Sequence, residues 1–404
     1  MHQITWLVFI AFALTACGSS KKHAGKEQAG KEQAGKPHAG DEHAGEEHAG
    51  KGVEKDTSSA MENTATKAHI APRTSASNPG VDGLADRTFA FTYEASLTVA
   101  DGQGPVDIFV PLAQSNRQQE VLSREVEATI PGDERSESRY ENRFWHGHRD
   151  MADGKPIRVA VHYVVRRKAF RGLEARSSVT KEPAGEHRQS LARFLLPNRR
   201  VPVSGPLIDA IRKDLRPSGG SRVERARAIY DYVIDNMEYK KVGRGWGNGD
   251  TFWACTEKYG NCTDFHALFI SLARAEGIPA RFKIGFPIPE DRSEGVVAGY
   301  HCWVEFYLAG RGWLPIDASE AWKNPARRDL YFGTQPADRI QFTVGRDLEL
   351  GNGHQAGPLN YFIYPHVEVA GRRVTGAKTR FYFRELNDQE PTTTASKTGG
   401  GARP

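Results

Sequence analysis

The chain has no P-loop, no nucleic-acid-binding motif and no apolar run long enough to cross a bilayer as a mature helix. Its one extended apolar stretch, Ile4 to Leu14, is interrupted by Thr5 and falls short of a span. A charge excess of one sign is missing too: 55 Lys and Arg stand against 50 Asp and Glu, for a net charge of +5, and the two signs are interleaved. The short basic run Arg166-Arg167-Lys168 reads as a solvated strand end rather than a binding patch. Nucleic acid is therefore not an expected partner. Cysteine is scarce, with four residues, at positions 17, 255, 262 and 302.

What is present at the N-terminus is an export signal. The apolar stretch leads into Leu14-Thr15-Ala16-Cys17, small residues before a cysteine. This segment resembles the signal peptide and lipobox of bacterial lipoproteins, although Met1-His2-Gln3 lacks the usual Lys or Arg. The resemblance implies cleavage before Cys17, lipidation of Cys17 and a membrane partner through that anchor. Gly18 behind the cysteine resembles sorting to the outer membrane in a Gram-negative host. The expected location is the cell envelope.

Lys21 to Gly50 is six tandem pentapeptides, from KKHAG to EEHAG. Units this short and polar have no apolar face to stack, so they form no solenoid. Residues 18–86 read as a disordered tether, which as a flexible coil would reach about 45 Å. Metal binding by His23, His38, His43 and His48 is the sharper alternative, but nothing fixes those imidazoles relative to one another. Residues 387–404 read as a polar disordered tail.

The part between them is about 300 residues, enough for two domains. Residues 87–200 are expected to form a small all-β sandwich and a connector. Phe89, Phe91, Tyr93 and Ala95 alternate with polar or small residues, as do Ile157 to Val165, with turn clusters between. His162 falls on the outer face of its strand. Residues 201–386 read as an α+β domain, helices first and antiparallel strands after. Pro206 to Leu215 is one helix. Ser221 to Glu224 has capping-box spacing, and Val223, Ala226, Tyr230, Val233 and Met237 follow on one face.

The chain is organised around Tyr259-Gly260-Asn261-Cys262-Thr263-Asp264-Phe265-His266. Phe265, Leu268, Phe269, Leu272 and Ala273 follow at helical spacing, with Gly277 and Pro279 as the stop. Cys262 thus opens an amphipathic helix, capped by Asn261 or Thr263. Unpaired N–H groups and the helix dipole favour a thiolate there, and its own N–H is placed to serve an oxyanion. His301 lies in the strand Tyr300-His301-Cys302-Trp303-Val304-Glu305, and Asp317 ends the next, Gly312-Trp313-Leu314-Pro315-Ile316-Asp317. A thiol needs a base, and the base needs an acceptor to fix its tautomer. Cys262, His301 and Asp317 supply the three roles.

GNCTDFHALFISLARAEGIPAR, YHCWVEFYL and GWLPIDAS resemble the three core motifs of the transglutaminase-like superfamily, over about residues 220–320. The resemblance implies a papain-like fold behind a β-sandwich, with Cys262 as nucleophile, His301 as base and later acid, and Asp317 as orienting carboxylate. It also implies thiol-dependent acyl transfer on amide bonds of a protein or peptide substrate, as peptidase, amidase or transglutaminase. An upstream aromatic often helps the oxyanion, for which Trp246 and Trp253 are the candidates. No acidic calcium loop is evident, so neither metal nor other cofactor is implied.

Three further expectations follow. A metal site drawn from Cys255, Cys262, His266, His301 and Cys302 is disfavoured, because His301 and Cys302 are strand neighbours and should point to opposite faces. His266 is expected to pack behind the site, and Glu305 to be a strand-surface or ion-pair residue. Cys255 and Cys302 are either paired or buried, and neither is catalytic. Finally, strand parity requires an odd loop or a bulge between His301 and Asp317. Pairing Leu308 with Gly312 puts the two on one face, whereas an even loop separates them. The alternative function is a surface protein- or peptide-binding module that keeps the fold without turnover.

Overall fold

The computed structural model describes residues 84–172, 190–215, 220–351 and 353–386. The signal peptide, Cys17, nearly all of the tether, part of the connector and the tail lie outside the described residues.

The first half is built of alternating strands. These are β1 Arg87–Leu97, β2 Val106–Pro111, β3 Gln119–Ala128, β4 Gly132–Ser136, β5 Arg143–Arg149, β6 Ile157–Arg167 and the short β7 Phe170–Arg171. In β1 and β6 the buried positions alternate, Phe89, Phe91, Tyr93 and Ala95 against Ile157, Val159, Val161, Tyr163 and Val165, because side chains in a strand point to opposite faces in turn.

The second half opens with helices. α1 is Pro206–Leu215 and α2 is Arg222–Asn236, whose N-cap Ser221 and Glu224 form the expected capping box. The strand β8, Glu238–Tyr239, pairs in parallel with β9, Tyr259–Gly260. Between them α3, Thr251–Glu257, is capped by Asp250. α4, Cys262–Ala275, follows. The remaining strands are β10 Ala280–Pro287, β11 Glu294–Val296, β12 His301–Leu308, β13 Gly312–Ile316, β14 Thr334–Gln335, β15 Arg339–Val344, β16 His366–Val369, β17 Arg372–Val374 and β18 Lys378–Glu385, with α5 Ala318–Lys323 after β13.

Two five-stranded antiparallel sheets make the sandwich, in the orders β11-β18-β1-β6-β3 and β17-β16-β2-β5-β4. This corrects the expected boundary between the two domains. Residues 366–385, assigned to the second domain, belong to the sandwich, since β18 pairs with β1 over Phe89↔Glu385 to Ser96↔Lys378, and β16 pairs with β2. Alternation shows that a segment is a strand but not which distant strand it joins.

The third sheet, in the order β13-β12-β10-β15, carries α4. Phe265, Leu268, Phe269 and Leu272 pack with Phe282, Ile284, Val304 and Phe306 in a core continuous with that of the sandwich. The amphipathic expectation for α4 is too narrow: Cys262 to Arg274 are all buried. Its polar members are satisfied inside the protein. Ser271 Oγ lies 2.7 Å from Thr251 Oγ1, and Arg274 donates to the carbonyls of Leu196 and Ala280. A helix enclosed on every side fixes its N-terminus firmly, and Cys262 sits on that N-terminus.

Candidate active site

Asn261 caps α4. Its side-chain oxygen accepts from the Thr263 N–H at 2.9 Å, and Asp264 Oδ2 reaches back to the Asn261 N–H at 3.0 Å. Asp264 also accepts from the N–H groups of Gly247 (2.7 Å) and Gly249 (2.9 Å), so one carboxylate ties the glycine-rich loop to the helix start. Burial raises its pKa to about 6, against the pull of those three N–H groups. Gly260 has no alternative: a Cβ there would stand 2.3 Å from Asp264 Oδ2.

The β12–β13 hairpin takes the odd register. Leu308 pairs with Gly312 and Val304 with Ile316, around a three-residue loop in which Gly310 has φ +76° and Gly312, just beyond it, φ +80°. Glycine holds such angles without a Cβ penalty. Asp317, next after Ile316, therefore meets His301, with Nε2 and Oδ2 2.6 Å apart. Asp317 is further fixed as the N-cap of α5, accepting from the Glu320 N–H (3.1 Å) and the Ser319 hydroxyl (3.0 Å). Arg339 Nη1 donates to the same Oδ2 at 2.9 Å while its guanidinium lies 5.1 Å from the centre of the Trp303 ring.

With Nε2 committed to Asp317, the other nitrogen of His301 is left for the Cys262 thiol, and the residues just before the two, Asn261 and Tyr300, are hydrogen-bonded at 2.9 Å. Cys262, His301 and Asp317, named from sequence, are thus brought together at the junction of α4, β12 and β13. The electrostatics are those of an ion pair. Burial opposes charge on all three groups, yet the Asp317 carboxylate pushes His301 up to about 10. The Cys262 thiol lies well below its ordinary value, because hydrogen bonds from Cys302 and His301 outweigh burial. Asp317 is likewise held well below the carboxylate range, against burial, by His301 and Arg339. The thiol is 2 % exposed and His301 6 %.

The candidate oxyanion donors Trp246 and Trp253 are not brought to the thiol by their N–H groups. Trp253 Nε1 donates to the Tyr259 carbonyl (3.0 Å) and Trp246 Nε1 to the Gly243 carbonyl (3.2 Å), and an indole has only one donor to give. The Cys262 charge bears on three tyrosines, Tyr239, Tyr300 and Tyr361, and helps to keep their hydroxyls protonated. The Tyr300 hydroxyl accepts from Asn261 Nδ2 at 2.9 Å.

Alternation holds at the start of β12: His301 and Trp303, two positions apart, stack with ring centres 6.4 Å apart, and the Cys302 sulfur lies 3.4 Å from His266 Nδ1 of α4. Cys255, Cys262 and Cys302 are all buried and none is in a disulfide. Glu305 is an ion-pair residue, with Lys283 Nζ at 2.9 Å and Arg281 Nη2 at 2.5 Å. Sequence reasoning missed Arg339 altogether, and no local spacing marks it.

One other group of metal-capable side chains stands together among the described residues: His354, His366 and Glu368. Glu368 accepts from His366 Nε2 (2.8 Å) and from the N–H groups of Gln355 and Ala356. His354 Nδ1 accepts from the Leu350 N–H, which leaves the ring proton on Nε2, the atom facing Glu368 at 3.8 Å. His354 Nε2 is buried there with no hydrogen-bond partner among the described residues.

Residues 209–318 match the model of the Transglutaminase-like superfamily. The chain is 32 % identical over 181 residues to an uncharacterized protein of Haemophilus influenzae, a match covering 37 % of this chain and 49 % of that one. It is also 32 % identical over 79 residues to the uncharacterized protein YebA of Bacillus subtilis, covering 17 % of this chain and 11 % of the other. The chain therefore spans about half the length of the first relative and about a tenth of the second. Among solved structures, a candidate cysteine protease of Cytophaga hutchinsonii superposes with TM-score 0.50 at 18 % identity, covering 78 % of this chain and 96 % of that one. Over residues 209–318 the chain is thus similar to the transglutaminase-like superfamily, in a mixed helix-and-sheet core joined to a sheet-rich domain.

Proposed function

We propose that the protein is a thiol-dependent acyl-transfer enzyme acting on amide bonds of a protein or peptide, anchored by lipid on Cys17 in the cell envelope. The observation that carries the reading is the His301 imidazole, its Nε2 2.6 Å from Asp317 Oδ2, beside the helix start that carries Cys262, where Asn261 is hydrogen-bonded to Tyr300. The chemistry follows from the charges. The Cys262 thiolate attacks the amide carbonyl carbon, a C–S bond forms and the π electrons move to oxygen. The Thr263 and Asp264 N–H groups of α4 are taken by Asn261, so the Cys262 N–H is the donor of that turn left for the developing oxyanion. His301, protonated at rest, gives its Nδ1 proton to the leaving amine as the C–N bond breaks. A thioester remains, and His301 is now a neutral base. It takes a proton from water or from an amine, which attacks the thioester and frees Cys262. Asp317 keeps the Nε2 proton throughout and stabilises the imidazolium, while Arg339, Ser319 and the Glu320 N–H hold the carboxylate still.

Water as the acceptor gives a peptidase or amidase, and a lysine amine gives a crosslink. The fold shared with a candidate cysteine protease favours water. The test is a peptide-cleavage screen beside incubation with a dansyl amine and a glutamine-bearing protein. Turnover that vanishes in Cys262→Ala supports the reading. A folded wild-type protein that forms no thioester with any acyl donor contradicts it. The 2 % exposure of Cys262 favours the second reading, a peptide-binding module without turnover. That reading predicts peptide binding of equal strength in wild type and Cys262→Ala.

A further inference from the structure

We propose that the Glu320 carboxylate and the face of the Tyr239 ring form a cation subsite on the leaving-group side of the scissile bond, filled in the resting protein by its own Lys323. The inference rests on the reading of Cys262 as nucleophile and His301 as acid. It deepens that reading to a substrate class: acyl compounds whose departing group carries a positive charge beside the atom that leaves.

Because His301 Nε2 is committed to Asp317, the nitrogen that serves the leaving group is Nδ1. Glu320 Oε1 lies 3.9 Å from that Nδ1. This is too long for a hydrogen bond and within the reach of an ion pair. The Glu320 backbone is fixed to the triad, since its N–H donates to Asp317 Oδ1 at 3.1 Å. The carboxylate therefore flanks the place where the leaving group departs. A cation already sits there. Lys323 Nζ donates to Glu320 Oε1 at 2.8 Å and lies 4.1 Å from the centre of the Tyr239 ring. A carboxylate on one side and an aromatic face on the other attract an ammonium by charge and by the ring quadrupole. The Tyr239 ring is itself packed beside Phe265 of α4 and Trp322 of α5, with ring centres 6.1 and 6.4 Å away. The subsite is thus held by the helix that begins at Cys262 and the helix capped by Asp317.

Lys323 is a placeholder that a substrate can displace. Side-chain exposure rises outward, from 8 % at His301 to 28 % at Glu320 and 37 % at Lys323. An incoming molecule on this side meets Lys323 first. A pair so exposed contributes little to stability, and its lysine stem swings into water at small cost. Arg339 cannot replace it at Glu320, because its guanidinium serves Asp317 at 2.9 Å and Asp338 at 2.8 Å. Once Lys323 has moved, Glu320 turns an unneutralised carboxylate toward the leaving group. A cation there is attracted and an anion repelled.

The test uses three acetyl thioesters that share an acyl group and differ in the charge of the leaving group: acetylthiocholine (cationic), S-ethyl thioacetate (neutral) and S-acetyl mercaptoethanesulfonate (anionic). The Cys262 thiolate attacks the acetyl carbon, a C–S bond forms to Cys262, and the bond to the departing sulfur breaks. That sulfur leaves as a thiol with the His301 proton. Released thiol is measured by chromatography on the full chain, the rate in Cys262→Ala is subtracted, and each rate is divided by that of free N-acetylcysteine amide. In wild type the cationic thioester should react about fivefold faster than the neutral one, and the anionic one more slowly than either. Lys323→Ala opens the subsite and should widen the cation-to-anion ratio by about a further threefold. Glu320→Gln keeps the shape without the charge and should bring the cationic and neutral rates together. Tyr239→Leu changes no charge and should still narrow the ratio. Ratios are the readout because Glu320 also helps to keep His301 protonated, which acts on all three reagents alike. A cation preference that is the same in wild type, Glu320→Gln and Tyr239→Leu would overturn the subsite, as would a ratio in Lys323→Ala no larger than in wild type. A folded wild-type protein that releases no thiol above the Cys262→Ala blank from any of the three would instead contradict the nucleophile reading itself.

Discussion

Two buried histidine–carboxylate pairs in this protein have nearly the same contact and opposite chemistry. His301 Nε2 lies 2.6 Å from Asp317, and His366 Nε2 lies 2.8 Å from Glu368. His301 is pushed up to about 10, while burial pulls His366 down to about 4. The carboxylate alone does not decide the charge of the ring. Glu368 spends its lone pairs on the Gln355 and Ala356 N–H groups and has a second imidazole, His354, as neighbour. His301 has an acid on its other side, the Cys262 thiol, whose proton it can hold. A His–carboxylate contact is therefore a poor sign of catalysis by itself. The third group, placed to exchange a proton with the free nitrogen, makes the difference.

The comparison is open to breakage by substitution. The largest effect is expected for Asp317→Asn, which removes the charge and permits the wrong tautomer of His301. Turnover in the cleavage or amine-incorporation assay should fall by about three to four orders of magnitude. Glu368→Gln, its counterpart on the sandwich, should leave turnover of the folded protein within about twofold.

Gly260→Ala should come next. The new Cβ would displace the Asp264 carboxylate, 2.3 Å away, and with it the hydrogen bonds to Gly247 and Gly249. A loss of about 1–3 kcal/mol in urea unfolding is expected, the range for overpacking.

The titration itself gives a subtler contrast. In histidine-labelled protein followed by NMR, His301 should keep its proton through neutral pH and lose it near 10, while His366 should stay neutral until near 4. The consequences for stability have opposite signs. His301 contributes stability that is present below the unfolded value near 6.5 and is lost as pH rises through about 10. His366 and His266, both pulled down to about 4, take up protons only in the unfolded chain between 6.5 and 4, so each withdraws stability as pH falls through that window. Asp264, raised to about 6, acts against them.

The smallest effect is expected on the surface, where Arg135 pairs with the exposed Asp133. Arg135→Ala should change stability by less than about 1 kcal/mol in the same unfolding assay.

What could be read from the chain was local or arithmetic. Helix α4 and the cap at Asn261 follow from spacing and residue type within a few positions. The His301–Asp317 register follows from parity, since a three-residue loop is the short solution that puts both on one face. What escaped reading was nonlocal. The pairing of β18 with β1 joins residues nearly three hundred positions apart, and nothing in alternation names the partner. Arg339 reaches Asp317 across two strands of the core sheet. The indole N–H groups of Trp246 and Trp253 were spent on carbonyls that only the folded loop brings near.

The central claim is that His301 and Asp317 hold Cys262 as the reactive thiolate of the protein. Limiting iodoacetamide at mildly acidic pH, with every cysteine mapped by mass, tests it without knowledge of the substrate. The account predicts that Cys262 is labelled before Cys255 and Cys302, and that Asp317→Asn abolishes the preference. Earlier labelling of Cys255 or Cys302, or a preference for Cys262 that survives the loss of the Asp317 charge, would contradict it.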